Sequence, residues 1–148
     1  MRPVLSALLL AAILVAAPAA GRAGAQAAIE QPDRLTLTSL YWGRVTQEWS
    51  IARGGQGRWS QGDGRSETFP VSEADFDRLR DIFRPWEGVR FECRRIIADG
   101  PYGTVTWSQD GHEDQQLRWD AGCVTGDAAD VFRRLDEAEA LLRRLRDR

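Results

Sequence analysis

Hydrophobic and polar residues alternate along several short segments of the chain, and this period of two is typical of half-buried β-strands. Leu35 and Leu37, continued to Leu40-Tyr41, predict a first strand, and the segment from Val45 to Ala52 predicts a second. Val89 to Ile97 predicts a further strand. The pattern therefore indicates a sheet built from short strands.

A glycine-containing break after the second strand predicts a hairpin with a return strand. A three-residue loop, Arg53-Gly54-Gly55, would place Trp49 opposite Trp59. The Gly- and Ser-rich stretch from Gln61 to Ser66 predicts a loop beyond the return strand.

A second hairpin is predicted from Tyr102–Ser108 and Glu113–Trp119, around Asp110-Gly111. A two-residue loop would divide its apolar residues between the two faces, which a half-buried hairpin avoids. A three-residue loop, Gln109-Asp110-Gly111, keeps them on one face. These apolar residues are Val105, Trp107, Leu117 and Trp119.

A period near 3.6 residues replaces the alternation in two segments and predicts two helices. Ser72 is the expected N-cap of the first, with Asp75 three residues later, and Pro85 ends it. The second begins near Asp127 and runs to the C-terminus, with one apolar face: Val131, Phe132, Leu135, Ala138, Leu142 and Leu145.

Strands and helices in this order predict an α+β fold, an antiparallel sheet with two helices packed on one face. Shifting the chain by 56 residues lays segment 34–79 over segment 90–135 and matches strand to strand and helix to helix. We therefore hypothesise a tandem strand–hairpin–helix duplication within one domain that covers residues 30–148.

The N-terminal segment has the pattern of a cleavable export signal. Arg2 precedes an apolar run from Val4 to Ala17, which is too short to span a bilayer. Ala23-Gly24-Ala25 or Ala25-Gln26-Ala27 fits a small-x-small cleavage site, so the signal is expected to cover residues 1–25, or 1–27 with the second site. We expect the mature protein to be periplasmic or secreted, with no membrane span and no lipid anchor.

Cys93 and Cys123 are the two cysteines of the 148-residue chain. An even pair in a small exported domain predicts a disulfide bond, and no C-x-x-C spacing points to a redox site. All 20 basic residues are arginine, and the sequence carries 22 acidic residues, so no net field favours nucleic acid.

Residues that could perform catalysis do not form a recognisable set. His112 is the single histidine and lies beside a predicted turn, so we expect no catalytic residue, metal or cofactor. A carboxylate pair remains open as an alternative because acids could cleave glycosidic bonds if the fold brought two together. The candidates by residue type are Glu48, Glu67, Glu92, Glu113 and Asp120.

Six tryptophans are an unusual number for so short a chain. Trp49, Trp59 and Trp107 are predicted to fill the core. Trp42, which follows Tyr41, and Trp86 lie at element boundaries, where aromatic rings often form recognition surfaces. We therefore predict Trp42, Tyr41 and Trp86 as a ligand or partner surface.

The segment from Ile51 to Gly55, the helix start at Val71, Ser72 and Phe76, and the late Gly122-Cys123 resemble small exported bacterial domains of unknown function. The resemblance covers most of the mature chain and implies no functional residue. The leading hypothesis is a non-catalytic module that binds an envelope protein or cell-wall component. The alternatives are a small cell-envelope hydrolase that uses a carboxylate pair and a structural envelope protein.

Overall fold

The computed structural model describes residues 31–94, 99–110, 112 and 114–148. This part of the chain forms six strands and two α-helices: β1 (Arg34–Tyr41), β2 (Arg44–Ala52), β3 (Gln56–Gln61), β4 (Ser66–Pro70), α1 (Glu73–Phe83), β5 (Tyr102–Ser108), β6 (Gln115–Asp120) and α2 (Ala128–Arg146). The strands make one antiparallel sheet in the order β4-β3-β2-β1-β5-β6. The predicted α+β class is confirmed. No helix in the described ranges is long and apolar enough to cross a bilayer.

One face of the sheet is buried beneath the helices. Leu37 of β1 lies between Trp49 of β2 and Val105 of β5, and all three are buried. The alternate residues of β1, such as Thr36 and Thr38, belong to the opposite, polar face. The buried face joins both helices in one core through Phe76, Leu79, Phe83, Val131, Ala138, Leu142 and Leu145.

The predicted start of α1 is confirmed in detail. The Ser72 hydroxyl accepts a hydrogen bond from the Asp75 backbone N–H at 3.1 Å and donates to the Asp75 carboxylate at 2.7 Å. The Arg148 guanidinium reaches the same carboxylate at 3.2 Å and links the C-terminus to the first turn of α1. These contacts, led by the Ser72 hydroxyl, outweigh burial and lower the pKa of Asp75.

The two hairpins differ in loop length, although the sequence predicted the same loop for both. Trp49 pairs with Trp59 as predicted, and Gly54 takes the left-handed conformation with φ of 57°. In the second hairpin Trp107 pairs with Gln115, so the three-residue loop is wrong: the partner of Trp107 lies two residues later than that loop requires. Because the shift is even, the apolar residues still share one face. Gly111 lies outside the described residues.

The predicted strand from Val89 to Ile97 is wrong over residues 89–94, which form no regular element; residues 95–98 lie outside the described part. β1 pairs with β2 on one side and β5 on the other, so neither of its edges is open for a further strand. Conversely, β4 was not predicted. Phe69 secures this short polar strand because its ring lies over Gly57, where a Cβ atom would be 2.4 Å from the ring.

The hypothesis of a duplication stays a prediction. The two residues that flank Leu37, Trp49 and Val105, are 56 positions apart, which is the shift that relates the two segments. However, the segment that should correspond to β1 is irregular where it is described. β1 thus serves both hairpins as a shared central strand.

Candidate functional site

Tyr41 at the end of β1 and the two-residue turn Trp42-Gly43 that follows it present aromatic side chains to solvent. We refer to these three residues as the aromatic turn. Trp42 is 72% exposed and Tyr41 is 43% exposed, with their rings edge to face at a centroid distance of 6.2 Å. Val45, two residues after the turn, is also exposed. Contiguous exposed apolar groups of this kind mark interaction surfaces in soluble domains.

The backbone of the aromatic turn is unusual for the residue that it carries. Trp42 has a φ of 49° and Gly43 a φ of 75°. Two successive positive φ values are typical of a type I′ hairpin turn, whose first position favours Asn, Asp or Gly. Placing a bulky residue there costs about 1–2 kcal/mol. Trp42 is therefore displayed at a conformational cost.

Hydrogen bonds fix the aromatic turn against its neighbours. The Gly43 N–H donates to the Tyr102 hydroxyl of β5 at 3.0 Å. The Gly62 N–H donates to the Thr46 carbonyl at 3.1 Å, which brings the β3–β4 turn against β2. A shallow groove results, lined by Tyr41, Trp42, Arg44, Val45, Thr46, Gln61, Gly62 and Asp63. The aromatic side chains thus form one wall of an ordered concavity.

Trp86 has a different environment from Trp42. It is half-buried, with its ring edge to face with Phe91 at 5.5 Å, and its indole N–H donates to the Asp130 carboxylate at 3.0 Å. Arg134 bonds the same carboxylate at 2.6 Å. Trp86 consequently ties the end of α1 to the start of α2, while Trp42 and Tyr41 form the exposed surface.

Asp130 should make the fold sensitive to acid. Hydrogen bonds from Arg134, then Arg133 and Trp86, outweigh burial and hold the pKa of Asp130 far below its ordinary value. A carboxylate whose pKa is depressed in the folded state stabilises the fold fully at pH values above its unfolded-state pKa of about 3.9. This contribution is lost progressively as the pH falls from there toward the folded-state pKa. We expect Asp130→Asn to cost about 1–2 kcal/mol at pH 7, because solvent screens part of the interaction, and less at pH 3. Urea unfolding at the two pH values measures this; an equal cost at both would contradict it.

The predicted disulfide between Cys93 and Cys123 is confirmed, with Cα atoms 5.2 Å apart. It joins the irregular segment after α1 to the segment after β6. The Val124 N–H donates to the Arg94 carbonyl at 3.2 Å beside the bridge. The bridge therefore anchors the stretch around Cys93, whose described residues 89–94 form no regular element.

The carboxylates proposed from the sequence that lie in the described part of the chain have separate partners or are exposed. Glu48 accepts a hydrogen bond from Thr38, and Asp120 accepts one from the Gly122 N–H. Glu67 pairs with Arg146 at 3.5 Å, Glu92 is exposed, and Glu113 lies outside the described residues. His112 is exposed, and no group of three metal-ligating side chains occurs within the described ranges.

Two acids that the sequence did not single out share a cavity. Asp136 and Glu139, one turn apart on α2, lie at a cavity of about 300 Å³ between this helix and the sheet. The Gln47 side-chain amide and Arg143 each bond the Glu139 carboxylate at 2.9 Å. Burial opposes ionisation of Glu139, but these two hydrogen bonds outweigh it and lower its pKa. The spacing of Asp136 and Glu139, three residues apart on a helix, was the signal that the sequence offered. Only the packing of α2 onto β2 brings the two acids to a cavity.

Comparison of the chain with protein-family models, with curated proteins and with solved structures finds no match. The candidate sites are therefore argued from their own geometry and chemistry.

Proposed function

We propose that this chain is an exported, non-catalytic binding module that recognises an envelope protein or cell-wall component through the aromatic turn. The observation that carries the proposal is Trp42, an exposed tryptophan held in a left-handed conformation. Strained residues persist where the surrounding structure enforces them, and they concentrate at functional sites. A turn selected for stability alone would carry Asn or Gly at this position.

The chemistry of the aromatic turn suits recognition. Tyr41 and Trp42 combine large apolar area with polar groups and few rotatable bonds, so their ordering on binding costs little entropy. Arg44 and Asp63 add charge at the rim of the groove, and the Asp63 carboxylate already holds Arg65 at 2.7 Å. An aromatic centre with a polar rim is the usual composition of a protein-binding surface.

The carboxylates support binding better than hydrolysis. Glycosidases of the two-carboxylate type need one acid that stays protonated, hence a raised pKa. Glu139, at the cavity that also holds Asp136, has a lowered pKa because Gln47 and Arg143 stabilise its charge. Glu139 therefore lacks the raised pKa that a general acid needs, so the hydrolase is the weaker alternative.

The disulfide between Cys93 and Cys123 supports the exported location, because such bonds persist in oxidising compartments. Together with the predicted signal segment, it favours a periplasmic or secreted protein. A partner is therefore to be sought in the cell envelope. A purely structural envelope protein would need no strained aromatic residue on its surface.

Capture of partners from an envelope extract tests the proposal. Immobilised native protein is expected to retain a specific component of the extract. Trp42→Ala should retain at least ten-fold less of it, because an anchoring aromatic side chain contributes about 2 kcal/mol or more to binding. Val89→Ser, another exposed apolar position, is the control and should bind as the native protein does. Retention unchanged in Trp42→Ala would contradict the proposal.

Trp86 is tested in the same assay. Trp86→Phe keeps a ring against Phe91 but removes the donor to Asp130, so we expect lower stability with capture unchanged at a temperature where the variant is folded. Loss of capture in folded Trp86→Phe would place Trp86 in the binding surface as well.

A further inference from the structure

The cavity between α2 and the sheet has features of a small-molecule site. Its volume is about 300 Å³, within the range of ligand cavities. We propose that it binds a small organic cation with an apolar body. This inference does not depend on the aromatic turn, which lies farther along the same hairpin.

The interior of the cavity is mainly apolar and aromatic. Leu37 and Trp49 contribute from the sheet, and Phe132 and Leu135 from α2, with Trp119 of β6 as a further wall. Phe132, Leu135 and Trp119 are only partly buried, so apolar surface in the cavity is left exposed. Covering it with an apolar ligand would be favourable by about 25 cal/mol per Å².

Trp119 can line the cavity because its cross-strand partner is a glycine. Trp119 pairs with Gly103 across β5 and β6. A Cβ atom at Gly103 would lie 2.8 Å from the indole and 1.9 Å from the Thr38 carbonyl oxygen. The missing side chain therefore lets the indole lie over β5, beside the cavity.

The polar residues of the cavity select for positive charge. Glu139 is already bonded by Gln47 and Arg143, whereas Asp136 makes no ion pair with any described residue. Both acids line the cavity. Because Arg143 offsets the charge of Glu139, Asp136 supplies the net negative charge among the described residues that line it. Aromatic faces also attract cations, by about 0.5–1 kcal/mol at partly exposed sites. An ammonium group near Asp136 with its apolar chain against Trp119 satisfies both preferences.

Three compounds of similar size and different charge provide the test. We expect 2-phenylethylamine to bind about five-fold more tightly than the neutral 2-phenylethanol, and 3-phenylpropionate to bind most weakly, at low ionic strength. Isothermal calorimetry, supported by tryptophan fluorescence, measures this order. Equal affinities, tighter binding of the carboxylate, or no binding of the amine at millimolar concentration would overturn the proposal.

Variants locate the binding within the cavity. Asp136→Asn should reduce the preference for the amine to less than about two-fold, because the neutral amide no longer attracts the ammonium group. Glu137→Gln changes the adjacent acid, which pairs with Arg133 and does not line the cavity, and should leave the preference intact. Undiminished preference in Asp136→Asn would overturn the assignment.

A second variant narrows the cavity without altering charge. Ala121 lines it and is exposed, so Ala121→Leu is expected to fold normally and to weaken all three compounds. Unchanged binding of all three in this variant would place the compounds elsewhere. Trp42→Ala should bind them as the native protein does, so failure of one proposal is distinguishable from failure of the other.

Discussion

Replacement of Trp107 by alanine is expected to lower the free energy of unfolding by about 3–5 kcal/mol. Trp107 is fully buried on β5, where it pairs with Leu35 of β1 on one side and Gln115 of β6 on the other. Its ring meets Phe83 of α1 edge to face at 6.3 Å. Because small domains have a total stability of about 5–15 kcal/mol, this variant should be close to unfolded at 37 °C.

Urea unfolding of Trp107→Ala and of Trp107→Phe measures the effect. The buried indole N–H has no hydrogen-bond partner among the described residues, so phenylalanine loses volume but no hydrogen bond. We expect Trp107→Phe to cost less than half as much as alanine. A loss below about 1 kcal/mol for alanine would mean that the helices do not pack on this residue.

Removal of the disulfide is the second large effect. The bridge between Cys93 and Cys123 closes a loop with a sequence separation of 30 residues. Replacing both cysteines by serine is expected to cost about 3–4 kcal/mol, mainly because the unfolded chain gains freedom. The effect should be strongest locally, since residues 89–94 have no regular structure to hold them.

Comparison of the native protein, with and without reductant, and the Cys93→Ser/Cys123→Ser variant checks this expectation. The reduced native protein and the variant should unfold at the same urea concentration, below that of the oxidised protein. A variant that matches the oxidised native protein would show that the bridge contributes nothing to stability.

Local signals in the sequence predicted those parts of the fold that depend on neighbouring residues. The Ser72 cap and the first hairpin were predicted correctly because each depends on a few adjacent residues. The prediction that the apolar residues of the second hairpin share one face was also correct. Alternation determines the face on which each residue lies even where the predicted loop length is wrong. The strand predicted at 89–97 is wrong over the described residues 89–94 because strand pairing is non-local: β1 already pairs with β2 and β5.

The candidate sites were predictable only in part. Trp42 and Tyr41 could be proposed from the sequence because aromatic residues at element boundaries often form recognition surfaces. The left-handed conformation of Trp42 contradicts residue preferences and could not be expected. From the sequence alone, Asp136 and Glu139 belong to the solvent-exposed face of an amphipathic helix. Only the packing of α2 against Gln47 of β2 brings them to a cavity.

The most direct test of the recognition surface combines stability and partner capture in one variant, Trp42→Asn. Asparagine accepts the left-handed conformation, so we expect Trp42→Asn to be more stable than Trp42→Ala by about 1 kcal/mol. Its free energy of unfolding should lie within about 1 kcal/mol of the native value or above it. Capture from the envelope extract should nevertheless be lost. Undiminished capture by this stable variant would contradict the account.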